Sequence, residues 1–111
     1  MGTIDFQGKQ IEVDDEGYLL NLYDWTADLA TLMAKQDNID LTPDHWEIIN
    51  FLREYYEVRK TVPLFSSIIR RTIKALGPEK GNTRYLYKLY PKGPVKQSCK
   101  YAGLQKPSGC M

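Results

Sequence analysis

Thr42-Pro-Asp-His-Trp-Glu-Ile-Ile-Asn-Phe-Leu-Arg-Glu-Tyr-Tyr56 is the strongest helical stretch in this 111-residue chain. Thr42 brings the side-chain oxygen of an N-cap, and Pro43 suits the first helical position, where its missing N–H costs nothing. Ile48, Ile49, Leu52, Tyr55 and Tyr56 make an apolar stripe at helical spacing, widened by Trp46 and Phe51. A helix with so broad an apolar side belongs at the centre of a core.

The flanking sequence supplies what such a helix would pack against. Upstream, Thr3–Phe6 and Lys9–Val13 alternate in character around Gln7-Gly8, a hairpin signal. Asp14–Gly17 is a second turn, and Tyr18-Leu19-Leu20 reads as a third short strand, giving a meander too small to stand alone. A first helix follows, capped by Asp24 or Thr26 and ended by Asp37-Asn38, with Trp25, Leu29, Leu32 and Met33 as its buried stripe. Downstream, Phe65, Ile68, Ile69, Thr72, Ile73 and Leu76 predict a strongly amphipathic third helix closed by Gly77-Pro78. Two shorter helices are expected over Thr83–Tyr90 and Pro94–Ala102, the last ended by Gly103. The reading is α+β, mostly α: a small N-terminal β-meander on about five helices, with a flexible C-terminal arm. Residues 1–103 form one domain and residues 104–111 the arm.

Size and composition fit one domain with a modest core, thirteen aromatics supplying its bulk. No apolar run reaches the roughly 18–20 residues that span a bilayer. The N-terminus lacks the basic-then-apolar pattern of a secretory signal, so a cytoplasmic protein without membrane insertion is expected. Charge is divided sharply along the chain. Residues 1–57 hold thirteen acids and three bases, whereas residues 58–111 hold one acid, Glu79, and twelve bases. Such a cationic half meets acidic protein surfaces, anionic ligands or nucleic acid.

Chemistry concentrates at the C-terminus. Cys99 and Cys110 are the only cysteines, with ten residues between them, and Cys110 is penultimate. In a small cytosolic chain such a pair is redox-active or catalytic more often than a permanent staple. Lys96 and Lys100 neighbour Cys99, and Lys106 lies between the thiols, so cations are expected to favour the thiolate, which is the nucleophile. The terminal carboxylate has the opposite influence on Cys110. Arg84 and Lys88, one turn apart, extend a basic surface suited to thiolate support or partner docking. An extended segment from Cys99 to Cys110 reaches roughly 35 Å, and a bridge needs the Cα atoms within about 7 Å, so reversible closure is allowed. His45 is the only histidine and reads as a surface or capping residue. No metal-ligand cluster, phosphate loop or Ser/His/Asp set is present. Residues 43–76 admit a helix-turn-helix reading. Against it, the loop from Glu57 to Val62 is long, and the third helix offers no Asn or Gln for base edges, so nucleic acid is a minor alternative.

Several segments carry a family resemblance. The pattern Q-x-C-x3-G-L-x-K-P-x-G-C runs from Gln97 to Cys110. Gly81-Asn-Thr-Arg-Tyr-Leu-Tyr87, Pro91-Lys-Gly-Pro94, Gly17-Tyr18-Leu19, His45-Trp46 and Phe51-Leu52-Arg53-Glu54-Tyr55-Tyr56 accompany it. Over its full length the chain resembles the DsrC/TusE family, DsrC being the gamma-subunit-like protein of dissimilatory sulfite reductase. The resemblance implies a sulfur carrier rather than a free-standing enzyme. Cys110 would hold persulfide sulfur, and Cys99 would join it as a trisulfide or disulfide.

It also implies partners: the alpha and beta subunits of dissimilatory sulfite reductase, DsrEFH-like or TusBCD-like and TusA-like sulfur donors, and a heterodisulfide-reductase-like subunit of a membrane complex. Siroheme and iron-sulfur clusters belong to those partners, and none is expected on this chain. TusE, serving tRNA 2-thiouridine synthesis, keeps only the penultimate cysteine, so Cys99 places the expectation on the DsrC side, with TusE as the alternative. One position departs from the family pattern: Ser66 stands where an Arg is usual.

Overall fold

The computed structural model describes residues 2–107. Strands β1 (Gly2–Phe6) and β2 (Lys9–Val13) form an antiparallel hairpin with Ile4 opposite Ile11. Gln7 and Gly8 both take positive φ, which the two-residue turn requires. The expected third strand is reduced to a single bridge between Val13 and Leu19. The Asp14 turn, whose carboxylate accepts from the N–H groups of Glu16 and Tyr18, brings the chain back to that bridge, and pairing ends because the next residues enter a helical turn capped by the Asn21 side chain.

Five helices follow: α1 (Ala27–Gln36), α2 (Pro43–Arg59), α3 (Phe65–Leu76), α4 (Thr83–Leu89) and α5 (Pro94–Tyr101). Of the two cap candidates for α1, Thr26 does the work, accepting from Leu29 N–H. Asp24 instead ends a short 3-10 turn, Leu22–Asp24, so Trp25 precedes α1 rather than lying on it. Asn82 caps α4 by accepting from Tyr85 N–H. The α+β architecture and the helix count agree with the sequence reading.

The start of α2 is closed by its own residues. Thr42 N–H donates to His45 Nδ1 at 3.0 Å, which leaves the proton on Nε2 to donate to Leu89 O at 2.8 Å. His45 is therefore a buried capping residue that also ties α2 to α4; the surface placement is corrected. Asp44, beside it, accepts from Lys80 Nζ at 2.8 Å and from the Tyr85 hydroxyl, which hold its carboxyl below the ordinary value.

Leu29, Met33, Ile49, Leu52, Ile68, Leu86, Tyr90 and Tyr101 form the centre of the core. Helix α3 sits at its edge. Only Ile68 and Thr72 of α3 are buried, and Ile73 is 41% exposed despite its place in the amphipathic pattern. Leu104, assigned by sequence to the arm, is buried at 3%, so packing continues past Gly103.

Candidate functional site

Helix α5 carries Cys99, and it is the most enclosed helix of the fold. Pro94, Val95, Gln97, Ser98, Cys99 and Tyr101 are all buried. Two of these are polar, and each is satisfied. Gln97 Oε1 accepts from Lys92 N–H, its Nε2 donates to the Tyr101 hydroxyl, and Ser98 Oγ donates to Pro94 O. Buried polar groups with full partners hold one geometry, because any shift strands a donor or acceptor in low dielectric. From outside, the Tyr18 hydroxyl donates to Lys96 O at 3.0 Å and the Tyr101 hydroxyl to Asp37 Oδ2 at 2.6 Å. The helix is pinned to the turns before β2's bridge partner and after α1.

The Cys99 thiol is free and 0% exposed. Burial pushes it up to about 12, and no cation offsets that. For Cys99, then, burial and not a neighbouring cation sets the acidity. Lys100 donates to Asp37 at 3.2 Å, and Lys106 pairs with Glu16 at 2.8 Å, so both are engaged by acids of the N-terminal half. Lys96 is half-buried on α5, while Arg84 and Lys88 lie on the exposed side of α4. Cys99 as it stands is a protonated core thiol, and Cys110 lies outside the described residues.

The end of α5 is closed in part by the Gly103 stop that the sequence indicates and in part by side chains that it does not. Gly103, at φ +77°, makes the left-handed turn that lets Gly103 N–H reach Lys100 O and Leu104 N–H reach Cys99 O at 3.0 Å. Ala102 N–H returns to Ser98 O. Two carbonyls remain, and side chains from other elements take them. Trp25 Nε1 donates to Tyr101 O and Arg53 Nη1 to Ala102 O, each at 2.7 Å. Arg53 lies over the Trp25 ring at 3.7 Å, so the two donors brace each other. A Cβ on Gly103 would sit 2.4 Å from Trp25 Cδ1. The sequence signal was faint: a Trp whose indole N–H needs a partner, and an Arg on the apolar side of α2.

Beside this end runs a groove of about 600 Å³, lined by residues of the α2–α3 connection, among them Lys60 and Pro63, by Phe65 at the start of α3, and by Val95, Gln105, Lys106 and Pro107. Pro107 is the last described residue, and Cys110 falls outside the described residues.

The family model described as DsrC like protein matches residues 5–111. The chain belongs to the DsrC/TusE family. It is 49% identical over 106 residues to the sulfurtransferase TusE of Photorhabdus laumondii, covering 96% of each chain. Among solved structures, DsrC of Allochromatium vinosum shares 55% identity with a TM-score of 0.87, covering 99% of this chain and 98% of that one. The oxidised gamma-subunit of dissimilatory sulfite reductase (DsrC) from Archaeoglobus fulgidus shares 35% identity, also with a TM-score of 0.87, over 95% and 96% of the two chains. Membership places the chain among sulfur-relay proteins. Among the described residues no helix is long and apolar enough to cross a membrane.

Proposed function

We propose that this chain is a cytoplasmic sulfur relay that carries sulfane sulfur on Cys110, in the manner of the TusE sulfurtransferases among its relatives. The observation that carries this reading is the state of Cys99. A thiol sealed in the core and protonated to about 12 is no nucleophile at neutral pH, so the carrier role falls to Cys110. The Cys110 thiolate attacks the outer sulfur of a donor persulfide, R–S–SH. The donor leaves as R–S⁻, and Cys110 becomes Cys110–S–SH. TusBCD-like and TusA-like proteins are the donors on this reading, and tRNA thiolation is the destination. The carrier needs no cofactor of its own.

A second reading is favoured by the presence of Cys99 and by the similarity to DsrC structures. Here the chain is a co-substrate of dissimilatory sulfite reductase, with DsrEFH-like donors and a heterodisulfide-reductase-like subunit as further partners. Cys99, once uncovered, attacks the inner sulfur of the Cys110 persulfide, forming the Cys99–Cys110 bond and releasing HS⁻. The weight given to Cys99 by sequence alone shifts once its burial is known, and the TusE-like reading moves ahead.

Mass spectrometry after incubation with a persulfide donor tests both. Cys110→Ser is expected to lose all loading, and loading that survives in it would defeat both readings. Cys99→Ser is expected to load and hand on sulfur as wild type does. Loss of onward transfer in that variant, with loading intact, would favour the two-thiol cycle.

A further inference from the structure

We infer that Trp25 and Arg53 are positioning residues that form a latch over Cys99, holding the end of α5 shut so that this thiol is reached only when the latch opens. For its use the inference rests on the second reading above, the two-thiol cycle, since only a chain with a task for Cys99 needs it released.

A helix end is stable when its last carbonyls are paired. In α5 the left-handed turn closes those of Cys99 and Lys100 from within, through Leu104 and Gly103. The carbonyls of Tyr101 and Ala102 are closed only from without, by Trp25 Nε1 and Arg53 Nη1 at 2.7 Å. Those two side chains come from the segment before α1 and from α2, so the bonds staple the turn to the body. Leu104 is the turn's apolar plug, buried at 3%, and its N–H lies on the Cys99 carbonyl. Freeing the two outer carbonyls frees Gly103 from the Trp25 ring, lets Leu104 withdraw, and unwinds the turn that contains the Cys99 carbonyl. Of the other bonds on α5, those from Tyr18 to Lys96 O and from Lys92 to Gln97 lie toward its start, and the side chains of Lys100 and Tyr101 stay bonded to Asp37, so the helix keeps its seat while the turn after Tyr101 opens. Opening is therefore local to the end that joins the arm. Both latch residues are half-buried, not core, so a partner surface that competes for the Arg53 guanidinium has access to the release point.

The test measures the alkylation rate of Cys99 under native conditions in a Cys110→Ser background. Trp25→Phe keeps an aromatic ring and removes only the N–H. It is expected to raise the rate about fivefold, the equilibrium value of one ordinary hydrogen bond. Arg53→Met, which keeps an unbranched stem, is expected to raise it by at least as much. Ile68→Val in α3 serves as the control for general destabilisation, and it is expected to leave the rate unchanged at low denaturant. Hydrogen exchange of the Leu104 amide is expected to quicken in the latch variants in parallel, with the Ile49 amide unaffected.

Labelling that tracks global unfolding in the parent, with Trp25→Phe and Ile68→Val acting alike, would overturn the latch. So would an unchanged Leu104 exchange rate. These readouts do not involve sulfur. A latch found alongside failed loading of Cys110 would leave the geometry standing and remove the relay.

Discussion

Helices α3 and α5 reverse the usual link between sequence pattern and depth. Helix α3 has the clearest apolar stripe of the two, yet it buries only Ile68 and Thr72. Helix α5 is short and rich in polar residues, yet six of its eight residues are buried. Hydrophobic burial holds α3 loosely at the edge. Directional bonds hold α5: Tyr18, Lys92, Trp25 and Arg53 donate to it, and Tyr101 donates outward to Asp37. An apolar contact yields gradually, whereas a set of satisfied polar contacts is either made or broken. The helix that carries the thiol is the one built to have two discrete states.

That contrast can be strained at chosen points. Gly103→Ala puts a Cβ on Trp25 in a left-handed residue, at a cost of about 2–4 kcal/mol. Urea unfolding followed by circular dichroism reads this directly, and a variant within about 0.5 kcal/mol of wild type would show that the end of α5 is not held as described.

Alkali tests α5 next. The Cys99 thiol is raised from 9.0 to about 12, and burial also raises Tyr18, Tyr90 and Tyr101 well above the ordinary phenol value. Above about pH 9 the unfolded chain loses protons that the folded chain keeps, so their stabilisation is complete below that pH and is lost as pH rises. Each group contributes a slope of at most about 1.4 kcal/mol per pH unit once its unfolded value is passed. Unfolding midpoints that stay flat from about pH 8 to about pH 10.5 would contradict the buried, protonated thiol.

Tyr101→Phe removes the bond to Asp37 and leaves Gln97 Nε2 without its acceptor, for an expected loss of about 1–3 kcal/mol. Calorimetric melting of that variant should show one lowered transition, and an unchanged midpoint would mean that the polar set around α5 is incidental. The smallest effect belongs to α3. Ile73→Ser, on its 41% exposed residue, should change stability by no more than about 0.5 kcal/mol, and a larger loss would mean that α3 is packed more firmly than its burial indicates.

Local chemistry was readable from the chain. The hairpin turn at Gln7-Gly8, the Thr42 cap and the stop at Gly103 use residues within a few positions of one another and appear where the spacing puts them, and the structure chooses Thr26 from the two caps that the sequence offered for α1. What misled was neighbourhood in sequence taken as neighbourhood in charge. Lys96, Lys100 and Lys106 stand close to Cys99 along the chain, but Lys100 and Lys106 are spent on Asp37 and Glu16, which come from the other end. The third strand is cut short locally, since Asn21 caps a helical turn directly after the one bridge at Leu19.

Sequence by itself determined the helices, the family and the two sulfur atoms, because periodicity, capping and motif spacing are properties of short stretches. Only the tertiary structure decided which thiol is sealed. That outcome depends on Trp25 and Arg53 meeting at carbonyls more than forty residues away along the chain, each bond spanning the separations of 76 and 49 positions that no local pattern encodes. Solvent exclusion is a property of the assembled core, and the acidity of Cys99 follows from it.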